Sequence, residues 1–303
     1  MTAGTDNTLT KVQPLTVAAL SLDIAKGNPV ENLRRVECMI KALPPETDVA
    51  VVPELFTTSF MKDTDAMLGC AEFREGATMR AIRRMAHEYD MLFCGSYLGK
   101  DDSGAGTLYY NRGFMVLPDG STHFYDKHHL FCLSEEARLL THGHRRPLIV
   151  NFRGWNLSMI ICYELRFPVW DRNVDMATDV MLVPANWPVA RGYAWRHLLI
   201  ARAIENQCVM VGCDRSGSDD YGEYGSLAMI CDELGRRIAP PLTEAPEGCP
   251  PPVASGREIA TDYGPVLVAT FYYDNVASLR KWLPTDRDAD CFTLHQKTTN
   301  LTT

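Results

Sequence analysis

Apolar positions in this chain fall into short runs, and the runs alternate with segments whose apolar residues recur at helical spacing. Residues 14–21 (P-L-T-V-A-A-L-S) read as a first strand. Asn28-Pro29 then opens a helix, because Asn caps and Pro suits the first helical position. Val30, Leu33, Val36, Ile40 and Leu43 carry the helical period to about residue 43, where Pro44-Pro45 stops it. Residues 49–53 (V-A-V-V-P) predict a buried second strand, with Glu54 immediately after. A second helix is predicted over 77–88, with Met79, Ile82 and Met85 on one face, and a third strand over 91–98. This β-α-β-α-β order predicts an α/β fold with helices packed on a sheet.

The pattern then changes to hairpins. Runs at 108–116 and 121–125 flank Pro118-Asp119-Gly120, a turn sequence between two strands. Residues 126–147 are polar and predict a loop with a helical turn. Residues 148–151 and 155–162 repeat the strand-turn-strand form around Arg153-Gly154, which places Cys162 at a strand end. Further strands are predicted at 180–184, 208–213, 227–231 and 266–271, and a helix at 193–205. Residues 239–256 are rich in Pro and Gly and read as a surface loop, since too few residues follow to build a second domain. The expectation is a polar leader over 1–13 and one domain over 14–303, in which two sheets carry helices on their outer faces.

With 46% hydrophobic and 22% charged residues, the composition is that of an ordinary soluble globular protein. The net charge of −8 and the lack of a basic block give nucleic-acid binding no electrostatic support. No apolar run approaches the roughly 18 residues of a membrane span, and the first residues lack a signal-peptide apolar region. A cytoplasmic location is the default expectation. The ten cysteines include no C-x-x-C pair, which disfavours a zinc ribbon or a thioredoxin-like site. Most sit in apolar runs and read as reduced core residues.

Three ionisable residues occupy similar local positions, each just past a predicted strand: Glu54, Lys127 and Cys162. Sites in α/β proteins cluster at strand ends, and these three types form a working chemical set. A free thiol is only a few per cent ionised at neutral pH and needs a base or a cation beside it. A carboxylate can take its proton, and an ammonium can stabilise an oxyanion. The bland alternatives are a packed thiol, an exposed strand-end carboxylate and a surface lysine.

The segments P-E-L-F at 53–56, D-K-H-H-L-F at 126–131 and C-Y-E-L-R-F-P at 162–168 resemble the three signature segments of the nitrilase superfamily, the carbon–nitrogen hydrolases. P-A-N-W-P at 184–188, A-R-A-I-E-N-Q at 201–207 and D-R-S-G at 214–217 resemble its later blocks. The closing stretch at 280–294 is similar to a bacterial omega-amidase-like branch. The resemblance covers roughly residues 14–294. It implies a four-layer α-β-β-α sandwich, usually a homodimer, with no metal and no cofactor. It also implies Cys162 as nucleophile, Glu54 as general base, Lys127 as oxyanion cation, and a second glutamate in the loop after the lysine. Glu135 and Glu136 both offer themselves for that last place, and spacing from H-L-F favours Glu136. Glu164 falls where relatives often have Asp and is expected to be structural.

The implied reaction is hydrolysis of the terminal amide of a small dicarboxylic monoamide, such as 2-oxoglutaramate or 2-oxosuccinamate, through a cysteine thioester. The Tyr163 backbone N–H is expected to receive the oxyanion. Arg166 is a candidate grip for the distal carboxylate, or else a structural ion pair with Glu164 or Asp171. Asn186 and Trp187 could line the pocket and Phe60 could close one wall. The alternatives are another carbon–nitrogen hydrolase activity (a nitrilase or another aliphatic amidase) and a non-catalytic scaffold on the same fold. A papain-like protease would need a histidine base, for which His128 and His129 are available, but no C-G-S-C-W-type segment is present. A metal centre would draw on those two with His142 and His144, in a loop whose Arg138, Arg145 and Arg146 disfavour a cation.

Overall fold

A computed structural model describes residues 12–240 and 254–295. Residues 1–11 of the predicted leader and most of the loop over 239–256 lie outside the described residues; Val12 and Gln13 belong to the domain instead, Val12 packing on the core and the Gln13 carbonyl accepting from Trp155 Nε1 at 2.9 Å. No helix among the described residues is long and apolar enough to cross a membrane.

The first half of the chain runs β1 (Leu15–Leu20), α1 (Pro29–Lys41), β2 (Val49–Val51), α2 (Thr64–Gly69), α3 (Ala77–Glu88), β3 (Leu92–Ser103), β4 (Gly106–Val116), β5 (Thr122–Asp126) and α4 (Glu136–Leu139). The second half runs β6 (Ile149–Phe152), β7 (Trp155–Met159), β8 (Val180–Ala185), α5 (Gly192–Asn206), β9 (Val209–Asp214), β10 (Ser216–Asp219) and β11 (Gly222–Gly225). It then adds β12 (Met229–Cys231), β13 (Arg237–Ala239), β14 (Ser255–Ile259), β15 (Val266–Phe271) and α6 (Tyr273–Trp282). A seven-stranded sheet has the order β14-β15-β1-β2-β3-β4-β5, and a six-stranded sheet has the order β13-β12-β9-β8-β7-β6. β1, β2 and β3 are parallel at the centre of the first sheet, as β7, β8 and β9 are in the second.

Side chains alternate across β1, β2 and the start of β3, although nearly all there are apolar. Leu15, Val17 and Ala19 of β1, Val49 and Val51 of β2, and Leu92 and Cys94 of β3 face the second sheet and join its core with Leu157, Met159 and Leu182. The intervening Ala18, Leu20, Ala50, Val52 and Phe93 face outward, against Val36, Met39 and Ile40 of α1 and Met79, Ile82 and Met85 of α3. On the far side α5 covers the second sheet, with Trp195, Leu199 and Ala203 buried in the same core. The architecture is therefore an α-β-β-α sandwich, and two-sided burial explains why these strands read as unbroken apolar runs.

Several local expectations are corrected. Cys162 is not on a strand: β7 ends at Met159, and Cys162 opens a 3₁₀ turn over Cys162–Arg166. β3 does not stop at residue 98 but continues to Ser103, and β4 starts at Gly106, so the pair forms one long hairpin. The outer part of that hairpin is polar and exposed, which hid it from an apolar-run reading. Residues 255–259 form β14 rather than loop. The short or polar α2, β10, β11 and β13, and α6 as well, went unpredicted.

α5 sits so close to β9 that a Cβ on Gly212 would lie 2.6 Å from Leu199 Cδ1 and 2.8 Å from Trp195 Cζ2. Gly212→Ala should push α5 off the sheet and lower unfolding stability by about 1–3 kcal/mol in urea titration. An unchanged midpoint would show that the helix yields at no cost.

Candidate active site

Lys127 follows β5, and its ammonium lies in the interior, 1% exposed. It donates to Glu54 Oε1 at 2.7 Å and to Glu136 Oε1 and Oε2 at 3.0 Å each. Glu54, just past β2, is 1% exposed, and Glu136, the first residue of α4, is 0% exposed. Burial works against the lysine charge, but the Glu136 and Glu54 carboxylates outweigh it and hold its pKa above the ordinary lysine value. Asn111, in β4, joins the two acids: its Nδ2 donates to Glu54 Oε1 and to Glu136 Oε1, both at 2.8 Å. Its own Oδ1 accepts from Ser96 Oγ at 2.7 Å, and Ser96 Oγ in turn accepts from the Leu55 N–H at 2.9 Å. Glu136 is further held by the Phe131 N–H at 2.8 Å. Its neighbour Glu135 pairs instead with Arg138 on the surface.

The second sheet supplies the thiol. Cys162 has φ +47°, in the left-handed region, which costs an ordinary residue about 1–2 kcal/mol. Glu164 holds this turn in place. Its Oε2 accepts from the Ile161 N–H at 2.8 Å, while Oε1 accepts from Tyr125 Oη at 2.6 Å and the His128 N–H at 2.9 Å. One buried carboxylate thus ties the thiol's turn to the segment that carries Lys127. Burial raises the Glu164 pKa, against the bonds from Tyr125 and the backbone. The structural expectation for this residue matches its contacts.

Asn186, just past β8, closes the gap between the sheets. Its N–H donates to Glu54 Oε2 at 3.0 Å and its Nδ2 to the Glu54 carbonyl at 2.7 Å. Its carbonyl oxygen lies 3.9 Å from Cys162 Sγ. Its Oδ1 is buried with no hydrogen-bond partner among the described residues. Burial pushes the Cys162 thiol well above the ordinary range, Glu54 adds to that, and Lys127 works against both. The resting group is a neutral thiol beside a carboxylate able to accept its proton.

One cavity of about 440 Å³ collects Glu54, Phe60, Lys127, Glu136, Cys162, Tyr163, Arg166, Asn186 and Trp187. These are the residues singled out from the sequence, and all of them meet there. Sequence reading missed Phe131, Leu133, Ser134, Arg191, Tyr221 and Tyr224 in the same lining. Arg191 had a signal, since it closes the N-W-P-V-A-R stretch that begins with Asn186. So did Asn111, a polar residue inside an apolar strand. Tyr221 and Tyr224 sit on the β10–β11 hairpin, and nothing local pointed to them. The alternative for Arg166, an ion pair with Glu164 or Asp171, does not form among the described residues. Glu164 is taken as above, and Asp171 pairs with Arg202 at 2.9 Å. The histidines lie outside this lining: His128 stacks on Trp170 with ring centres 4.1 Å apart, and His129 stacks on Phe167 at 3.8 Å. Burial and the neighbouring His128 lower the His129 pKa to about 4.

A carbon–nitrogen hydrolase family model matches residues 16–275. The omega-amidase YafV of Escherichia coli (strain K12) is 38% identical over 209 residues, which cover 69% of this chain and 77% of that protein. The 2-oxoglutaramate amidase of Bacillus subtilis (strain 168) is 32% identical over 227 residues, 74% of this chain and 85% of the relative. A CN-hydrolase superfamily protein from Xanthomonas campestris, whose crystal structure has an arsenic adduct in the active site, superposes with a TM-score of 0.78. It is 28% identical, over 93% of this chain and 100% of that one. Saccharomyces cerevisiae Nit3, of branch 10 of the nitrilase superfamily, shares the fold at a TM-score of 0.72 and 20% identity, over 90% of this chain and 96% of its own.

Two measurements check this geometry. The thiolate is the reactive form, and a raised pKa delays its appearance as pH rises. Modification of Cys162 by methyl methanethiosulfonate, followed by peptide mass, should therefore still accelerate above pH 9, whereas free cysteine levels off near its pKa of about 8.5. A plateau below pH 8 would contradict the assigned environment. Asn111→Ala removes the donor shared by two buried carboxylates and should cost about 1–3 kcal/mol of stability in urea unfolding.

Proposed function

This chain belongs to the carbon–nitrogen hydrolase family, and from that premise we propose that it is an omega-amidase. It cleaves the terminal amide of a short dicarboxylic monoamide such as 2-oxoglutaramate, with Glu54, Lys127 and Cys162 as the catalytic set. The observation that carries the reading is the buried Lys127 ammonium, bonded at once to Glu54 and Glu136 on the floor of the cavity that holds the Cys162 thiol. The named activities of the Escherichia coli and Bacillus subtilis relatives support the substrate class.

In this mechanism Glu54 takes the thiol proton as Cys162 Sγ bonds to the amide carbon, so the thiolate never accumulates at rest. The developing oxyanion is received by the Lys127 ammonium and the Tyr163 N–H. That N–H lies in the first turn of a 3₁₀ segment, where a backbone donor has no intrahelical acceptor. Removing one donor of this kind costs on the order of 3 kcal/mol of transition-state stabilisation. Glu54 then returns the proton to the leaving nitrogen, the C–N bond breaks and ammonia departs, leaving a thioester. A water molecule, deprotonated by Glu54, attacks the thioester. The C–S bond breaks, the acid is released and the thiol regains its proton. Acid–base assistance of this kind contributes roughly 10²–10⁴-fold. Glu136 holds Lys127 in place through two hydrogen bonds from its ammonium. Asn186 Oδ1, a buried acceptor without a partner among the described residues, receives an N–H of the substrate amide. Trp187, Tyr163 and Phe60 form apolar walls.

Ammonia release over a panel of amides and nitriles tests the reading. Turnover is expected for short acidic monoamides, and turnover of nitriles instead would indicate the nitrilase activity. Intact-protein mass should show an acyl adduct on the wild type and none on Cys162→Ala. Glu54→Gln and Lys127→Met should each lose roughly 10²-fold or more in kcat. Full turnover by Cys162→Ala would remove the scheme, and no turnover by the wild type would favour a non-catalytic scaffold.

A further inference from the structure

Two guanidinium groups stand at the cavity with no carboxylate of the described residues paired to them, those of Arg166 and Arg191. Each rests on an aromatic face. Arg166 Cζ lies 5.0 Å from the Trp187 ring centre, and Arg191 Cζ lies 5.1 Å from that of Phe131. Stacking of this kind orients a guanidinium without using its N–H donors. Trp187 serves both arms. Its face carries Arg166, and its Nε1 donates to the Arg191 carbonyl at 2.8 Å, fixing the turn on which Arg191 sits. Trp187 is itself anchored, its N–H donating to the buried Asp214 Oδ1 at 2.7 Å.

We infer that Arg191 is a specificity-determining residue that works with Arg166 as a two-armed clamp on the anionic end of the substrate, with Trp187 as their shared pedestal. This rests on the amidase reading above and adds the feature that selects among amides. Charge placement gives the reason. The cavity floor holds Glu54, Glu136 and Lys127 around a neutral thiol, a net negative set, while both mouth arginines are exposed cations. A molecule with one neutral amide end and one carboxylate end has a single favourable orientation, amide inward. Hydrolysis creates a second carboxylate beside Glu54 and Glu136, so the diacid is repelled from the floor that accepted the amide. Reach is constrained from both sides. Arg166 lies four residues beyond Cys162 on the same 3₁₀ turn, about 8 Å at the usual rise of ~2 Å per residue. Arg191 lies on the loop whose Asn186 is bonded to Glu54. The anionic end must therefore meet both arms at one short distance from the thiol.

The test compares kcat/KM for glutaramate and for the neutral amide pentanamide in wild type, Arg166→Met, Arg191→Met and Arg191→Lys, with circular dichroism to check folding. The glutaramate-to-pentanamide ratio should fall at least about tenfold in each Met variant, the scale expected for loss of one charge-assisted grip. Arg191→Lys, which keeps the charge but not the fork, should fall between. A second readout needs no turnover. Pentanoate should protect Cys162 from methyl methanethiosulfonate in wild type, and the concentration needed should rise at least about tenfold in Arg191→Met. An unchanged ratio, or unchanged pentanoate protection in Arg191→Met, overturns the clamp. Failure of the amidase reading looks different: the wild type turns over neither amide, while pentanoate protection still reports on Arg191.

Discussion

The site depends on a lysine charge that has been taken out of water. An isolated ammonium in an apolar interior is costly, and removing one partner of a buried pair typically costs about 3–5 kcal/mol. Lys127 is kept charged by two carboxylates at once, and that requirement shapes what surrounds it. Two acids near one cation leave a net negative group that also needs donors. Asn111 supplies both of them from one amide, the Phe131 N–H steadies Glu136, and the Asn186 N–H steadies Glu54. Each group in the network is fixed by more than one bond, so the lysine reaches the cavity as a preorganised cation rather than a mobile side chain.

The network also explains where the chemistry sits in the fold. Glu54 leaves the end of β2, Asn186 the end of β8, and the thiol's turn follows β7. β2 and β8 are central parallel strands of the two sheets, and Asn186 grips Glu54 by two hydrogen bonds across the gap between them. Binding at the carboxyl ends of parallel strands is the usual place in open α/β sheets. Here two such ends from different sheets converge on one cavity. Cys162 completes it only because the chain leaves β7 in a left-handed conformation, held there by Glu164 from below. Glu164 is therefore a positioning group, and its distance from any reacting atom matters less than the two segments it joins.

The β10–β11 hairpin shows how a distant segment enters the site. Arg215 is fully buried, paired with Asp219 at 2.9 Å, and its guanidinium lies 4.4 Å from the Tyr224 ring centre. That contact sets the hairpin against the cavity, and Phe60 meets Tyr221 edge-on from the opposite wall. Phe60, Tyr221 and Tyr224 give the cavity an aromatic side, while the exposed guanidinium groups of Arg166 and Arg191 stand in the same lining.

Much of this was legible in the chain itself. Helical spacing at Leu33, Val36 and Ile40, the Asn28 cap and the Pro44-Pro45 stop define α1. Runs such as V-A-V-V and V-M-L-V-P-A define strands buried on both faces. The motifs around Glu54, Lys127 and Cys162 suggest the proposed chemistry, since thiol, carboxylate and ammonium can work as a set whatever fold carries them. Local sequence determines these features because they depend on near neighbours: capping, periodicity, and a charged residue directly after an apolar run. It could not decide which face of an all-apolar strand meets the second sheet, since both faces look alike until a partner layer is chosen. Nor could it decide that Cys162 lies beyond the strand in a left-handed turn, because that conformation is paid for by Glu164 contacts with Tyr125 and His128, far off in sequence. Asn111, Arg191 and Tyr224 belong to the site for the same reason. Their roles depend on distances across two sheets, and only the packed structure brings those residues within reach of one thiol.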